Sequence, residues 1–169
     1  MTDIHIKDEL LRQAAKRGSL EFLQTIVDAL EKELGDDAAA RMERLNAAQH
    51  TLLAYWTFRN EVLEGGFVQL IQNGYGPYIF LNPFARSMRE IFGMREFSKM
   101  VYAAREIYDK NRDDLERERS EEEFMAMYEQ YEVFDDMEDE YIEREEEITG
   151  EVARYVDGHL DEFVTVDKD

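Results

Sequence analysis

Asp136, Glu140, Glu143 and Glu147 advance by four, three and four residues, a spacing that sets four carboxylates along one side of an α-helix. Asp135, Asp139 and Glu151 belong to the same acidic run. Carboxylates at this density can hold a cation, act as acid and base, or present a negative field to a basic surface. The cation reading is weak. An EF-hand loop needs Asp-x-Asp-x-Asp-Gly, and Asp135-Asp136-Met137-Glu138-Asp139-Glu140 lacks the glycine at the turn, so no specific metal site is expected. Acid–base work needs a pair set apart by its neighbours, and sequence distinguishes none among the 40 acids. The third reading has support in the charge distribution. Residues 113–169 carry 24 Asp and Glu against 5 Lys and Arg, a balance of −19, while the other 112 residues carry 16 against 15, a balance of −1. Such asymmetry creates a one-sided field that bears on partner choice and association rate more than on fold. The expected partner is a protein with a basic surface. Direct nucleic-acid binding is not expected, because phosphate is gripped through Lys and Arg.

Other chemistries find little footing. With no cysteine, disulfides, thiolate zinc sites and cysteine nucleophiles are excluded. His5, His50 and His159 belong to no His-Glu-x-x-His or Glu-x-x-His pattern, and Ser19, Ser87, Ser98 and Ser120 sit in no nucleophile elbow. No phosphate-cradling Gly-rich loop follows a strand. The reading is a non-enzymatic protein without a cofactor. Met1 to Arg17 contains no apolar run before a small-residue cleavage site, and no stretch approaches 18 apolar residues, so a cytoplasmic protein without membrane contact is expected.

The elements that must position these groups are helical. Leu, Ala, Glu, Arg and Met dominate and only two prolines occur, which predicts an all-α, single-domain multi-helix bundle over 1–169 with an acidic helical C-terminal third. Apolar residues persist into that third (Phe124, Met127, Tyr131, Phe134, Tyr141, Val152, Val156), so it should fold. Residues 1–44 are expected to form N-terminal helices. One runs from Lys7 to Lys16. Another is capped by Ser19, carries the stripe Phe22, Leu23, Ile26, Val27, Leu30 and Leu34, and is stopped by Gly35. Asp36 or Asp37 should cap a helix reaching Leu63, with Gly65-Gly66 breaking it before a short helix from Phe67 to Gln72. Asn82-Pro83 reads as a cap with proline at the first helical position, and a further helix spans Glu96 to Lys110. Asn111 to Ser120 reads as a solvated connection or frayed helix, and Ser120 as the cap of the next helix. Asp135 should open a helix to Ile148 with Met137, Tyr141, Ile142 and Ile148 inward, and a last helix should start at Thr149. Residues 165–169 read as a frayed tail.

The least ordinary local text is Asn60-x-x-x-x-Gly65-Gly66-Phe67-x-Gln69-x-x-x-Asn73-Gly74. Paired glycines permit positive φ between two apolar segments. Gln69 and Asn73, one turn apart, can close the backbone groups orphaned at the break; the alternative is a polar pocket for a small molecule near Asn60, Gln69, Asn73 and Tyr75. This run, with Phe134-Asp135-Asp136-Met137-Glu138-Asp139-Glu140-Tyr141 and Tyr155-Val156, resembles the bacterial DNA-mimic protein family over about residues 45–164. Glu64 departs from the asparagine that commonly precedes the paired glycines there. The resemblance implies an all-helical, often dimeric protein whose surface carboxylates imitate DNA phosphates and occupy the DNA-binding face of a partner such as a transcriptional regulator. Two competing readings are an immunity or antitoxin-like protein that neutralises a basic toxin, and an enzyme or small-molecule binder using the pocket at the glycine pair.

Overall fold

The computed structural model describes residues 3–36 and 43–168. In chain order the elements are β1 (His5–Lys7), α1 (Asp8–Arg17), α2 (Ser19–Leu34), α3 (Ala47–Gln72), a π-helical turn (Pro77–Leu81), α4 (Phe84–Glu90), α5 (Arg95–Glu116), α6 (Glu121–Gln130), a 3₁₀ turn (Glu132–Phe134), α7 (Asp135–Gly158), a second 3₁₀ turn (Leu160–Glu162) and β2 (Thr165–Asp167). Among the described residues the protein is all-α apart from this one short strand pair. Two compact units divide it, Met1–Leu53 with Glu146–Asp169, and Ala54–Glu145.

In the first unit, α2 buries the expected stripe, Phe22, Leu23, Ile26, Val27, Leu30 and Leu34. Its N-cap is Gly18 at φ 121°, and Ser19 makes no capping bond, contrary to expectation. Asp36 lies in the turn after α2, and Asp37 lies outside the described residues. Glu43 and Arg44 are helical, and a further helix opens at Ala47 behind Asn46, which caps it: Gln49 N–H donates to Asn46 Oδ1 at 2.8 Å and Asn46 N–H to Gln49 Oε1 at 3.0 Å, a reciprocal capping box. The same two amides reach the end of the chain, Asn46 Nδ2 donating to the Glu162 carbonyl and Gln49 Nε2 to that of Phe163, both at 2.8 Å. That tether ends where the frayed tail was expected. Thr165–Asp167 instead forms β2, parallel to β1, with His5 opposite Thr165, Ile6 opposite Val166 and Lys7 opposite Asp167. Buried Ile4, Ile6, Phe163 and Val164 drive the pairing, and His5 Nδ1 meets Asp167 Oδ1 at 2.8 Å.

The second unit is organised around Phe58, which is fully buried and has the rings of Phe97 and Tyr141 at 5.1 Å, Phe67 at 5.7 Å and Phe84 at 6.0 Å. The contacts to Phe67, Phe97 and Tyr141 are edge-on, an arrangement that adds about 0.5–1.5 kcal/mol each beyond area burial. Asn82 does not cap: α4 opens at Phe84 behind Pro83, and Asn82 Nδ2 donates to the Tyr78 carbonyl at 3.2 Å. Of the two readings for the charged stretch after Asn111, the structure favours helix over a solvated connection as far as Glu116. α5 passes through Asn111, where φ −125° and ψ 16° leave the helical range, and continues to Glu116 with Leu115 fully buried. Gln72 Nε2 donates to the Leu115 carbonyl at 2.5 Å, and the Arg119 side chain, 4% exposed, meets Asp114 Oδ2 at 2.9 Å. Ser120 caps α6, as expected, and the structure shows that it does so through a capping box with Glu123.

α7 is one helix of 24 residues with no interruption at Thr149 or Gly150. A single interior glycine costs about 1 kcal/mol relative to alanine, less than continuous burial of Ile148, Val152 and Val156 returns.

Candidate acidic binding face

α7 acquires its faces from its own periodicity. Tyr141, Glu145, Ile148, Val152 and Val156 are buried and recur at three- and four-residue steps. Asp135, Asp136, Asp139, Glu140 and Glu143, in the part of the helix belonging to the second unit, are exposed. Helical geometry puts Asp136, Glu140 and Glu143 on the side away from Tyr141 and Glu145. In the part belonging to the first unit, Glu147 is exposed and Glu151 is half-buried. Ile142, expected inward, is 50% exposed, because it falls one step off the Tyr141 stripe.

What fixes the rotation of α7 in the second unit is a buried polar set. Tyr141 Oη and Tyr55 Oη lie 2.8 Å apart, and burial pushes the Tyr141 phenol up. Arg59 Nε donates to Glu145 Oε1 at 2.5 Å, with side chains 15% and 12% exposed, and the guanidinium lies 5.3 Å from the Trp56 ring. Turning the helix would strand the Arg59 charge.

The glycine break is held by a different carboxylate from the ones sequence singles out. Gly65 (φ −152°, ψ 15°) and Gly66 (φ 73°, ψ −170°) kink α3 without ending it. Phe67 N–H, the first donor after the kink, donates to Glu138 Oε1 at 2.8 Å, and Tyr128 Oη donates to the Gly65 carbonyl at 2.8 Å. A Cβ on Gly66 would fall 2.4 Å from Glu138 Oε1, so the glycine makes room for the capping carboxylate as well as supplying positive φ. Burial pushes the Glu138 carboxyl above the ordinary glutamate value; the Phe67 N–H pulls the other way, and Asp135 and Asp139 add to the rise. Burial and Glu138 likewise raise the Tyr128 phenol.

Gln69 and Asn73 do not close the orphaned backbone groups. Both amides converge on Glu61, Gln69 Nε2 at 2.7 Å and Asn73 Nδ2 at 3.0 Å from Oε2. Asn60 is apart from them, its Oδ1 accepting from Arg59 Nη1 at 3.0 Å, and Tyr75 packs near Tyr78. The amides considered for a small-molecule pocket, Asn60, Gln69 and Asn73, are therefore hydrogen-bonded within the fold. Phe67 is fully buried, stacked at 5.1 Å on Phe134. Sequence reasoning missed Glu138 and Tyr128. One clue was available for Glu138: it precedes Tyr141 by three, on the inward side of an otherwise acidic helix.

Asp114 gathers a third polar cluster. It accepts from Tyr131 Oη, from Gln130 Nε2 at 2.9 Å and from Arg119. The Tyr131 hydroxyl, with help from Arg119, holds its carboxyl below the usual range, while burial first and Asp114 second push the Tyr131 phenol up to about 12. Among the described residues, no group of three or more His, Asp or Glu is arranged to hold a metal ion, and no helix is long and apolar enough to cross a membrane.

A largely helical chain in which one long acidic helix exposes Asp135, Asp136, Asp139, Glu140 and Glu143 is the class of protein these features define. Residues 43–159 match the model of the DMP19-like protein family, and the chain belongs to that family. It is also 26% identical over 167 residues, 98% of each chain, to the DNA mimic protein DMP19 of Neisseria meningitidis serogroup B (strain ATCC BAA-335 / MC58).

Proposed function

We propose that this protein is a non-enzymatic DNA mimic whose α7 face occupies the basic, DNA-binding surface of a protein partner such as a transcriptional regulator. The observation that carries the reading is the density of exposed charge. Asp135, Asp136, Asp139, Glu140 and Glu143 fall within nine residues. At about 1.5 Å rise per residue they cover roughly 12 Å of axis, about one charge per 3 Å. DNA carries one phosphate per about 3.4 Å of each strand and about 1.7 Å of duplex, so the face lies within that range. Glu147 and Glu151 continue the acidic run along α7. Membership in the DMP19-like family and the name of the Neisseria relative support the same reading. On this proposal the protein is cytoplasmic, binds no nucleic acid itself and self-associates as a homodimer, without cofactor or metal.

Capture from the native cell at low salt tests it, with the chain and its Asp136→Lys/Glu140→Lys/Glu143→Lys/Glu147→Lys variant as baits. The expected catch is one or more basic DNA-binding proteins, released by salt, displaced by duplex DNA and absent from the variant. Acidic or neutral partners, or capture undiminished by charge reversal, would overturn the proposal.

A further inference from the structure

A cavity of about 290 Å³ opens in the second unit among the π-helical turn, the start of α4 and the middle of α5. Its depth is apolar, with Ile79 and Val101 each 1% exposed and Ala85 7%. Its rim carries Leu81 and Tyr102, large apolar side chains that nonetheless remain 43% and 38% exposed. The charged residues lining it are Arg86 and Arg105, with no Asp or Glu among the lining, in a chain with twice as many acids as bases. The cavities beside β1, beside Asn46 and beside Gly18 each include at least one acid.

Both guanidiniums are accessible. Arg86 reaches Glu90 at 3.1 Å and Arg105 reaches Asp109 at 3.5 Å, each one turn along its own helix and with the side chains 41–65% exposed. Ion pairs this exposed are weakly held, so a ligand anion can recruit either arginine. Apolar walls with a few convergent charged groups are the composition of small-ligand sites, and the planar fork of arginine matches a carboxylate. π-Helical turns are rare and concentrate at functional positions, and Pro77–Leu81 supplies part of this wall.

We propose that this cavity binds a small organic carboxylate with an apolar body of roughly amino-acid size. The carboxylate is held by Arg86 and Arg105, and the body lies against Val101, Ala85 and the Tyr102 ring. A cavity this small sits near the lower bound of about 300 Å³ for ligand pockets, which disfavours nucleotides and larger ligands. The site shares no residue with the acidic face and stands independently of the proposed DNA mimicry.

Amide NMR titration of the 169-residue protein tests it with three probes: phenylacetate, its neutral isostere phenylacetamide, and inorganic phosphate, which has charge without an apolar body. Phenylacetate should shift the signals of residues 79–86 and 101–105 at millimolar concentration, and phenylacetamide should bind about tenfold more weakly. Replacing both exposed arginines, Arg86→Gln with Arg105→Gln, should weaken phenylacetate about tenfold and leave phenylacetamide unchanged, which separates loss of a charge contact from loss of fold. Absence of those shifts, equal binding of the charged and neutral probes, phosphate binding as tightly as phenylacetate, or an unaffected double variant would each overturn the assignment.

Discussion

Glu138 and Glu140 stand two residues apart on α7, and both add to the same acidic run, yet they belong to different parts of the molecule's physics. Glu138 is drawn into the glycine break, bonded to Phe67 N–H and pressed against Gly66. Glu140 is exposed with Asp136 and Glu143 on the side away from Tyr141. Glu145 repeats the inward pattern two turns later, gripping Arg59. Net charge therefore says little about what a carboxylate does. Its register relative to the buried Tyr141 stripe decides whether it organises the fold or offers itself to a partner.

Removing an inward carboxylate gives the largest expected effect. Glu145→Ala leaves the Arg59 guanidinium, 15% exposed, without its carboxylate, and breaking a buried pair from one side costs about 3 kcal/mol or more. Urea unfolding reads this directly; a loss below about 1 kcal/mol would mean that the pair is solvated and does not set the rotation of α7. Next comes Gly66→Ala. At φ 73° and ψ −170° a Cβ is strained by about 1–3 kcal/mol, and it must also displace the Glu138 cap, so a total near 3 kcal/mol is expected. Gly74, also at positive φ but with open space around a Cβ, is the control: Gly74→Ala should cost visibly less. Equal losses at the two glycines would show that Glu138 contributes nothing to the break.

The parts of this arrangement visible in sequence are those written into one helix. The α2 stripe, the Ser120 cap and the exposed Asp136, Glu140 and Glu143 follow from spacing alone, because each depends on residues within a turn or two. The Asn46–Gln49 box was equally local but was hidden by the acids of Asp36-Asp37, which offered a competing cap. Glu138 at Gly66, Tyr128 at Gly65 and Tyr131 at Asp114 were not legible in the same way. Their partners are fixed by tertiary packing, and a glutamate bound for the interior has the same letter as one bound for solvent. β1 and β2 escaped for a related reason: three residues each, 160 apart along the chain, leave no alternation to count.

pH offers a way to separate two bound carboxylates by sign. The Glu138 carboxyl titrates above its ordinary value of 4.5 in the folded state, so its contribution is greatest below the unfolded value and declines as pH rises through the folded one. Asp114 is held below its ordinary 3.8, so its contribution is present above that value and is lost as pH falls through the folded one. The stability advantage of the parent chain over Glu138→Gln should therefore shrink as pH rises above the ordinary glutamate value of 4.5, while its advantage over Asp114→Asn should shrink as pH falls below the ordinary aspartate value of 3.8. Parallel curves for the two variants would contradict the assignment.

The smallest effect belongs to the exposed face and has the opposite sign. Asp135 and Asp136 lie in the first turn of α7, where negative charge is favoured by the helix dipole, so the informative substitutions lie beyond it. Asp139→Asn/Glu140→Gln/Glu143→Gln removes like-charge neighbours at three- and four-residue spacing, each worth a few tenths of a kcal/mol, and should stabilise the protein by about 0.5–1 kcal/mol at low salt. The gain should fade near 1 M salt, where the Debye length is about 3 Å. A face that the fold does not need, and that costs stability to keep, is what a binding role requires; if the triple variant instead loses more than about 1 kcal/mol, these carboxylates are structural like Glu138 and the contrast between the two sides of α7 collapses.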